Sequence, residues 1–351
     1  MKTVYLTWND TKEIAKRLKA GEIVVFPTET VYGIACIPTQ ECKDKLANAK
    51  GRPEDKPFTL MCSSLTQVAI HCQTNMYTAA TCQRFMPGEV TFLLPARKGI
   101  DPSIDLGTGI VGVRIPDYPQ VCGLIEEIGH PILVSSANLS GERPATSFEE
   151  AKAAFDGRVD VIVEAPCNGS TPSTIVDFVH LEKGLPKLVR QGAVAFEDIT
   201  HMYRFAYAMI AVGSDHGGFA YKQAIAAHLR DSGYSVMECG CDSESSVDYP
   251  IYGKSVAKAV AAGVADFGVV VCTSGEGISI AANKVPGIRC GIAYDDVVTG
   301  KMREHNNANV IAFGQKYMAL EDVLRRVDIF LIENFSSEAK HQRRVGELEE
   351  D

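Results

Sequence analysis

The sequence predicts two α/β domains in tandem, and three observations carry that prediction. Its 351 residues exceed what one ordinary domain of ~100–200 residues needs. Apolar runs of strand length alternate with amphipathic segments along the chain. The alternation restarts at "MIAVGSDHGG", after a stretch, "QGAVAFEDITHMYRFAY" (191–207), that reads as a domain tail running into a junction. The boundaries that follow are a first domain at 1–200, a junction at 201–207 and a second domain at 208–351.

In the first domain, "EIVVFPT" (22–28), "TFLLPA" (91–96), "GIVGVRIP" (109–116), "PILVSS" (131–136) and "VDVIVEA" (159–165) read as short strands. "DTKEIAKRLKAG" (10–21) has helical spacing and a Gly stop. "SFEEAKAAFDG" (147–157) opens on a capping Ser and an acidic first turn. In the second domain, strand Met209–Gly213 leads to helix "AYKQAIAAHLRDSG", strand "SVMECG" and helix "SVAKAVAAG". Strand "FGVVVC" follows, then a glycine-rich turn and a short helix, Ile278–Lys284. Strand "GIRCGIAY", helix "VVTGKMREHN", strand "ANVIAFG" and a long helix, "LEDVLRRVDIFLIENF", complete the pattern. The charged tail "RRVGELEED" reads as mostly solvated. Strands alternating with helices argue for a parallel sheet flanked by helices.

Composition narrows the function classes. Apolar residues make up 46%, enough for two cores, and no run of ~18 apolar residues predicts a membrane span. "MKTVYLTWND" lacks a long apolar signal segment, so the expectation is a cytoplasmic protein with no membrane partner. The net charge of −9 divides into −4 over 1–200 and −5 over 201–351, which argues against a general phosphate-backbone grip. Eleven cysteines without a paired CxxC frame suggest reduced thiols. The CxC of Cys239 and Cys241 is weak evidence for metal, and no metal site is assigned.

In an open parallel sheet, ligands bind at the carboxyl ends of the strands. Asp215 and His216 follow the first strand of the second domain, and Cys272 ends a later one. His305, just before "ANVIAFG", is expected at the same end. The loop Thr273–Gly277, with Ser274, Gly275 and Gly277, can bring backbone N–H groups close to an anion. Chemically this reads as an oxyanion cradle with Cys272 as base or nucleophile, suited to removing a proton next to a carbonyl. A buried cysteine ending a core strand is the plain alternative.

"GSDHGG", "VDYP", "CTSGEGISIAANKVPGIRC", "EHNNANVIAFG" and "KHQRRV", in that order over about 140 residues, resemble bacterial-type ribose 5-phosphate isomerase B. The resemblance implies a Rossmann-like parallel sheet, interconversion of ribose 5-phosphate and ribulose 5-phosphate through an enediolate, no cofactor, and a homodimer sharing each site. It puts Cys272 at the proton shuttle between C1 and C2, and Asp215 and His305 where the furanose ring opens. It puts Ser274 in the loop at a Thr position, and Tyr249, Asn283 and Asn306 near substrate. His216, Lys340 and Arg344 fall at or near phosphate contacts; Lys340 replaces an Arg there, keeping charge but losing a planar fork. Glu276 departs from the family, adding a carboxylate to the loop. Allose or galactose 6-phosphates are the runner-up substrates.

The first domain carries "PTETVYG" (27–33), "KGRPEDKPF" (50–58), "SSANLSG" (135–141), "PSTIVD" (172–177) and "LVRQG" (188–192). Lys50, Arg52 and Lys56 with small hydroxyl and amide groups at strand ends suit a triphosphate or pyrophosphate. Jointly these motifs resemble the YrdC family, threonylcarbamoyl-AMP synthases of tRNA modification. The resemblance implies a twisted mixed sheet and condensation of L-threonine, bicarbonate and ATP with release of pyrophosphate. It implies Mg²⁺ accompanying ATP and a downstream tRNA-modification transferase as a partner. Lys50, Arg52, Ser136 and Asn138 would ligate nucleotide and phosphates. Thr30 and Tyr32 would help hold threonine, and Ser173, Thr174 and Arg190 would line the same cavity. Glu89, in "PGEVT", departs from the family near anionic substrates. The leading expectation is a bifunctional enzyme. The alternatives keep one half active and make the other a scaffold or an RNA-binding module.

Overall fold

The computed structural model describes residues 2–51, 57–182, 184–205, 208–336 and 338–349. It resolves into two compact units: Met1–Gln73 with Arg84–Arg204, and Thr74–Gln83 with Phe205–Asp351.

The first unit is built on a mixed sheet. Its strands among the described residues are β1 (Val4–Leu6), β2 (Val24–Phe26), β3 (Gly33–Cys36), β4 (Thr59–Met61) and β5 (Val90–Pro95). They continue with β6 (Ile110–Arg114), β7 (Ile132–Ser136), β8 (Val161–Val163), β9 (Thr174–Glu182) and β10 (Leu185–Arg190). The spatial order is β1-β8-β2-β3-β7-β4-β6-β5-β9-β10. Parallel pairs such as β2/β8 and β4/β6 alternate with antiparallel ones such as β3/β7 and β5/β6. Val24, Val25 and Phe26 are all fully buried, as an unbroken apolar strand covered on both faces must be. The helix Thr11–Lys19 buries Ile14, Ala15 and Leu18, with Leu18 one turn beyond the other two, on that sheet's core. Ser147 caps the helix Phe148–Phe155 by accepting the Glu150 N–H. The stretch read as a tail, 191–207, contains a helix of its own, Phe196–Phe205, which buries Ile199 and Tyr203.

The second unit has five strands among the described residues, all parallel. They are β11 (Met209–Ser214), β12 (Ser235–Glu238), β13 (Phe267–Cys272), β14 (Cys290–Ile292) and β15 (Val310–Gly314), in the order β12-β11-β13-β15-β14. The central strands β13 and β15 read as unbroken apolar runs because helices cover both faces. Each fully buried Val, Ile or Phe there contributes about 1.5–3 kcal/mol. Met76 belongs to this core, beside Ile210, Leu229 and Tyr234. Its N–H donates to Ser232 O at 2.9 Å, and its Sδ accepts the Ala208 N–H at 3.2 Å. The tail read as solvated is exposed over its described residues 343–349 except for half-buried Val345, and its first part belongs to a helix, Ala339–Glu347, whose one buried residue is His341.

Candidate functional sites

The carboxyl ends of β11 and β13 lie side by side, with Ser214 paired to Val271. The residues that follow each strand therefore meet. A Cβ on Gly217 would fall 2.1 Å from Thr273 Oγ1, so only a glycine lets these loops touch. Asp215 is 6% exposed and its Oδ1 is buried without a hydrogen-bond partner. Burial raises its pKa above the ordinary carboxylate value, against His216 and the backbone N–H groups of Gly217 and Gly218. His216 accepts the Val247 N–H on Nδ1 at 3.2 Å, so a neutral ring carries its proton on Nε2 and presents a donor there.

Cys272 is 5% exposed, and its Sγ accepts the Gly275 N–H at 3.1 Å. Gly275 caps the helix Glu276–Asn283 at φ 87°, and a Cβ there would press on Phe313. Tyr249 packs its ring on Gly277. The cradle differs from the expectation in one respect. Two of its N–H groups serve the loop itself: Gly275 holds the thiol, and Glu276 donates to Ser274 Oγ at 3.3 Å. Lys316, which the motifs did not flag, joins the rim by donating its N–H to Thr273 O at 3.1 Å.

His305 is not at this end. Because β14 and β15 are parallel, the helix Asp296–Glu304 carries the chain back to the amino end of the sheet, and His305 is its C-cap. Asn309 N–H donates to Arg289 O at 3.1 Å, beside the start of β14, which fixes that location. From Gly268 to Cys272 the sheet is roughly 13 Å deep, at ~3.3 Å per residue. Asn306 and Asn283 are at the amino end too. Asn283 spends its amide on the Cys290 backbone, at 2.7 and 2.9 Å. Asn283, Asn306, Cys290 and Leu348 line an open groove. The helix Ala339–Glu347 brings Lys340 and Arg344; the Lys340 ammonium pairs with Glu338 at 2.7 Å.

In the first unit, a cavity of about 180 Å³ is lined by Thr30, Tyr32, Ser136, Ser173 and Arg190, together with Arg114. Arg114 was not singled out from sequence. It is 6% exposed, and its Nη2 donates to Glu29 Oε1 at 2.7 Å and Thr30 Oγ1 at 3.0 Å. Arg190 donates to Ser173 O at 2.7 and 3.1 Å. Burial and then the proximity of Arg114 push the Arg190 guanidinium below its ordinary range. Two cations gathered in one cavity suit an anion. Lys50 is almost fully buried, and its ammonium contacts Ser136 O and, at 3.4 Å, Asn138 Oδ1. Ser136 Oγ donates to the same Oδ1 at 2.6 Å, so Lys50, Ser136 and Asn138 form one cluster. Thr174 turns away: its hydroxyl donates to Val194 O at 2.6 Å and accepts the Gly192 N–H. Glu89 does not line the cavity; its carbonyl accepts the Thr174 N–H. Arg52 and Lys56 lie outside the described residues.

Among the described residues no helix is long and apolar enough to cross a membrane, and no group of three His, Cys, Asp or Glu is placed to hold a metal. The described cysteines are free.

Comparison with known proteins matches each unit separately. Residues 16–192 match a family model described as telomere recombination (Sua5, YciO, YrdC), and residues 210–348 one described as ribose/galactose isomerase. Threonylcarbamoyl-AMP synthase of Bacillus subtilis is 34% identical over 200 residues, covering 55% of this chain and 57% of that protein. The chain thus spans little more than half the length of that curated relative. Ribose-5-phosphate isomerase B of Escherichia coli is 43% identical over 136 residues, covering 39% of this chain and 91% of that protein. The crystal structure of E. coli YciO aligns over 57% of this chain and all of its own, with a TM-score of 0.51 and 23% identity, which shows a shared fold.

Proposed function

We propose, for a chain that belongs to the Sua5–YciO–YrdC family over residues 16–192 and to the ribose/galactose isomerase family over residues 210–348, that both units are active enzymes. The first makes threonylcarbamoyl-AMP from L-threonine, bicarbonate and ATP. The second interconverts ribose 5-phosphate and ribulose 5-phosphate.

One observation carries the isomerase reading: a thiol held by a backbone N–H beside a buried carboxyl with a free oxygen, at the carboxyl ends of adjacent strands. Asp215, kept protonated to higher pH by burial, can give its proton to the ring oxygen as the furanose opens. His305, whose basicity burial lowers, can accept the proton of the anomeric hydroxyl as a neutral imidazole. Cys272, acting as its thiolate, then takes the C2 proton and the electron pair forms the enediolate; the O2 proton passes to O1 as the C2 carbonyl forms, and the thiol returns its proton to C1. The reaction balances without a co-reactant. His216 offers its Nε2–H, and Lys340 and Arg344 their charge, to the phosphate. Because Cys272 and His305 stand at opposite ends of one sheet, a complete site needs two chains, which favours a homodimer through the second unit.

In the first unit, Arg114 and Arg190 can hold the threonine carboxylate, while Lys50 with Ser136 and Asn138 meets the nucleotide phosphates. Catalysis there is positioning, since the bound threonine supplies its own amine. The cavity wall is hydroxyls and cations rather than carboxylates, so Mg²⁺ fits as an ion carried by ATP phosphates.

The test is an assay of the full chain for both reactions, with allose 6-phosphate as a second sugar. Cys272→Ala should lower isomerisation by about 10²–10⁴-fold. Threonine-dependent pyrophosphate release should stay at wild-type level. Isomerase activity within about tenfold of wild type would overturn the role of the thiol.

A further inference from the structure

The imidazole of His305 makes no hydrogen bond to a described side chain or backbone group; its Nε2 stands 3.8 Å from Glu304 Oε2. A ring on a helix C-cap without a hydrogen bond has two free torsions, and packing alone can set its plane. The packing comes from the last helix. His341 lies face to face with His305, ring centroids 4.1 Å apart and planes 8° from parallel. His341 is 5% exposed, its Nε2 is buried without a partner, and it is the one buried residue of its helix. A charged, exposed helix thus places one neutral-capable ring flat against another.

We propose that His341 is a positioning residue for His305, fixing the plane in which that imidazole exchanges a proton with the sugar. The inference rests on the isomerase reading of the second unit. The stack has two consequences. It stops rotation of His305 about its Cβ–Cγ bond without consuming either ring nitrogen. It also sets a second imidazole among the charges that His305 faces, with Glu304 and Lys301 on its own helix and Lys340 and Glu338 beside His341. Two imidazolium cations this close repel, so the pair favours a neutral His305.

The same helix carries Lys340 and Arg344, so His341 could instead serve only to dock it. The two roles separate kinetically. Undocking the phosphate grip would raise KM, whereas loss of ring orientation lowers kcat. In the full chain, His341→Ala should lower kcat for ribose 5-phosphate by about tenfold or more, with KM within about threefold. His341→Phe, which keeps a flat ring, should restore most of it. In a His305→Asn background, His341→Ala should lower kcat no further. Proton and nitrogen resonances of His305, followed through an NMR titration, should move in His341→Ala. An unchanged kcat in His341→Ala would overturn the proposal. So would a rise in KM alone, a full additional loss in the His305→Asn background, or an unmoved His305 titration. Wild-type protein without isomerase activity would overturn the isomerase reading and the proposal with it, which distinguishes that failure from the others.

Discussion

In the first unit, Thr30, Ser136, Ser173, Arg114 and Arg190 line one cavity; in the second, Cys272 and His305 stand at opposite ends of one sheet. The difference follows from strand direction. The mixed sheet brings neighbouring strands in from both ends, so β3, β6, β7 and β9 deliver side chains to a common space. In the parallel sheet every crossover returns the chain to the amino end. Residues on strand ends and residues on helix C-termini are then separated by the depth of the sheet. Under the dimer proposed above, a site using both kinds would be completed by a second copy of the chain, whereas the cavity of the first unit is lined within one.

Subunit complementation tests that contrast with the largest effect. Cys272→Ala and His305→Asn chains should each be nearly inactive as isomerases. Co-refolded in equal amounts, they should recover about a quarter of wild-type activity: half the dimers are mixed, and each mixed dimer has one intact site of two. No recovery would mean that Cys272 and His305 serve the same site within one chain. The first unit offers the control. Arg190→Ala and Ser136→Ala chains, mixed the same way, should show no rescue, because both residues line a single cavity.

The sequence made the strands of both units legible wherever a run is unbroken and apolar. "FGVVVC" is β13, "PILVSS" contains β7 and "ANVIAFG" contains β15. Shorter or mixed runs escaped. β3 (Gly33–Cys36) sits inside the "PTETVYG" motif's continuation, and β9 and β10 follow a Pro- and Gly-rich loop and take their strand character from pairing, β9 with β5 and β10 with β9. The helix from Met76 gave no signal of which core it would join, since its burial is set by residues more than a hundred positions away. Site residues were legible when a motif held them. Lys50, Ser136 and Asn138 come together, and Asp215 lies beside Cys272. Arg114 was missed because an arginine inside an apolar strand carries no local mark of the cavity it faces. The misplaced end of His305 was a matter of topology: five residues before a strand is the amino end when that strand is parallel to its neighbour.

A middle-sized effect sharpens the account of the first cavity. Arg114 and Arg190 both line it, yet Arg114 is buried and paired with Glu29, while Arg190 is only partly buried and bonds Ser173 rather than a carboxylate. Arg190→Ala should therefore cut threonine-dependent pyrophosphate release by about tenfold while the melting temperature stays close to wild type. Arg114→Ala should lose both, because Glu29, largely shielded from water, is left with the Asp117 N–H but without its cation. Equal melting temperatures for the two variants, or unchanged release in Arg190→Ala, would remove the distinction.

The smallest effect concerns Asp215, where function and stability oppose each other. Burial lifts its pKa in the folded state above the unfolded value, so between the two values the native chain binds more protons than the unfolded one. Stability from this group is then present in full below the unfolded value, near ~3.9, and is lost as pH rises through the folded one. Asp215→Asn has no charge to bury, and its amide can occupy the position of the unpartnered Oδ1. The variant should match wild type in melting temperature near about pH 4 and exceed it by about 2–4 °C near about pH 7.5. Isomerase activity should fall at both values, since the amide has no proton to give the ring oxygen. Calorimetry of the full chain across that range reads the gap directly. A gap that does not widen with pH would show that Asp215 is not strained by its burial, and would leave its free oxygen without the cost that a substrate-facing carboxyl bears.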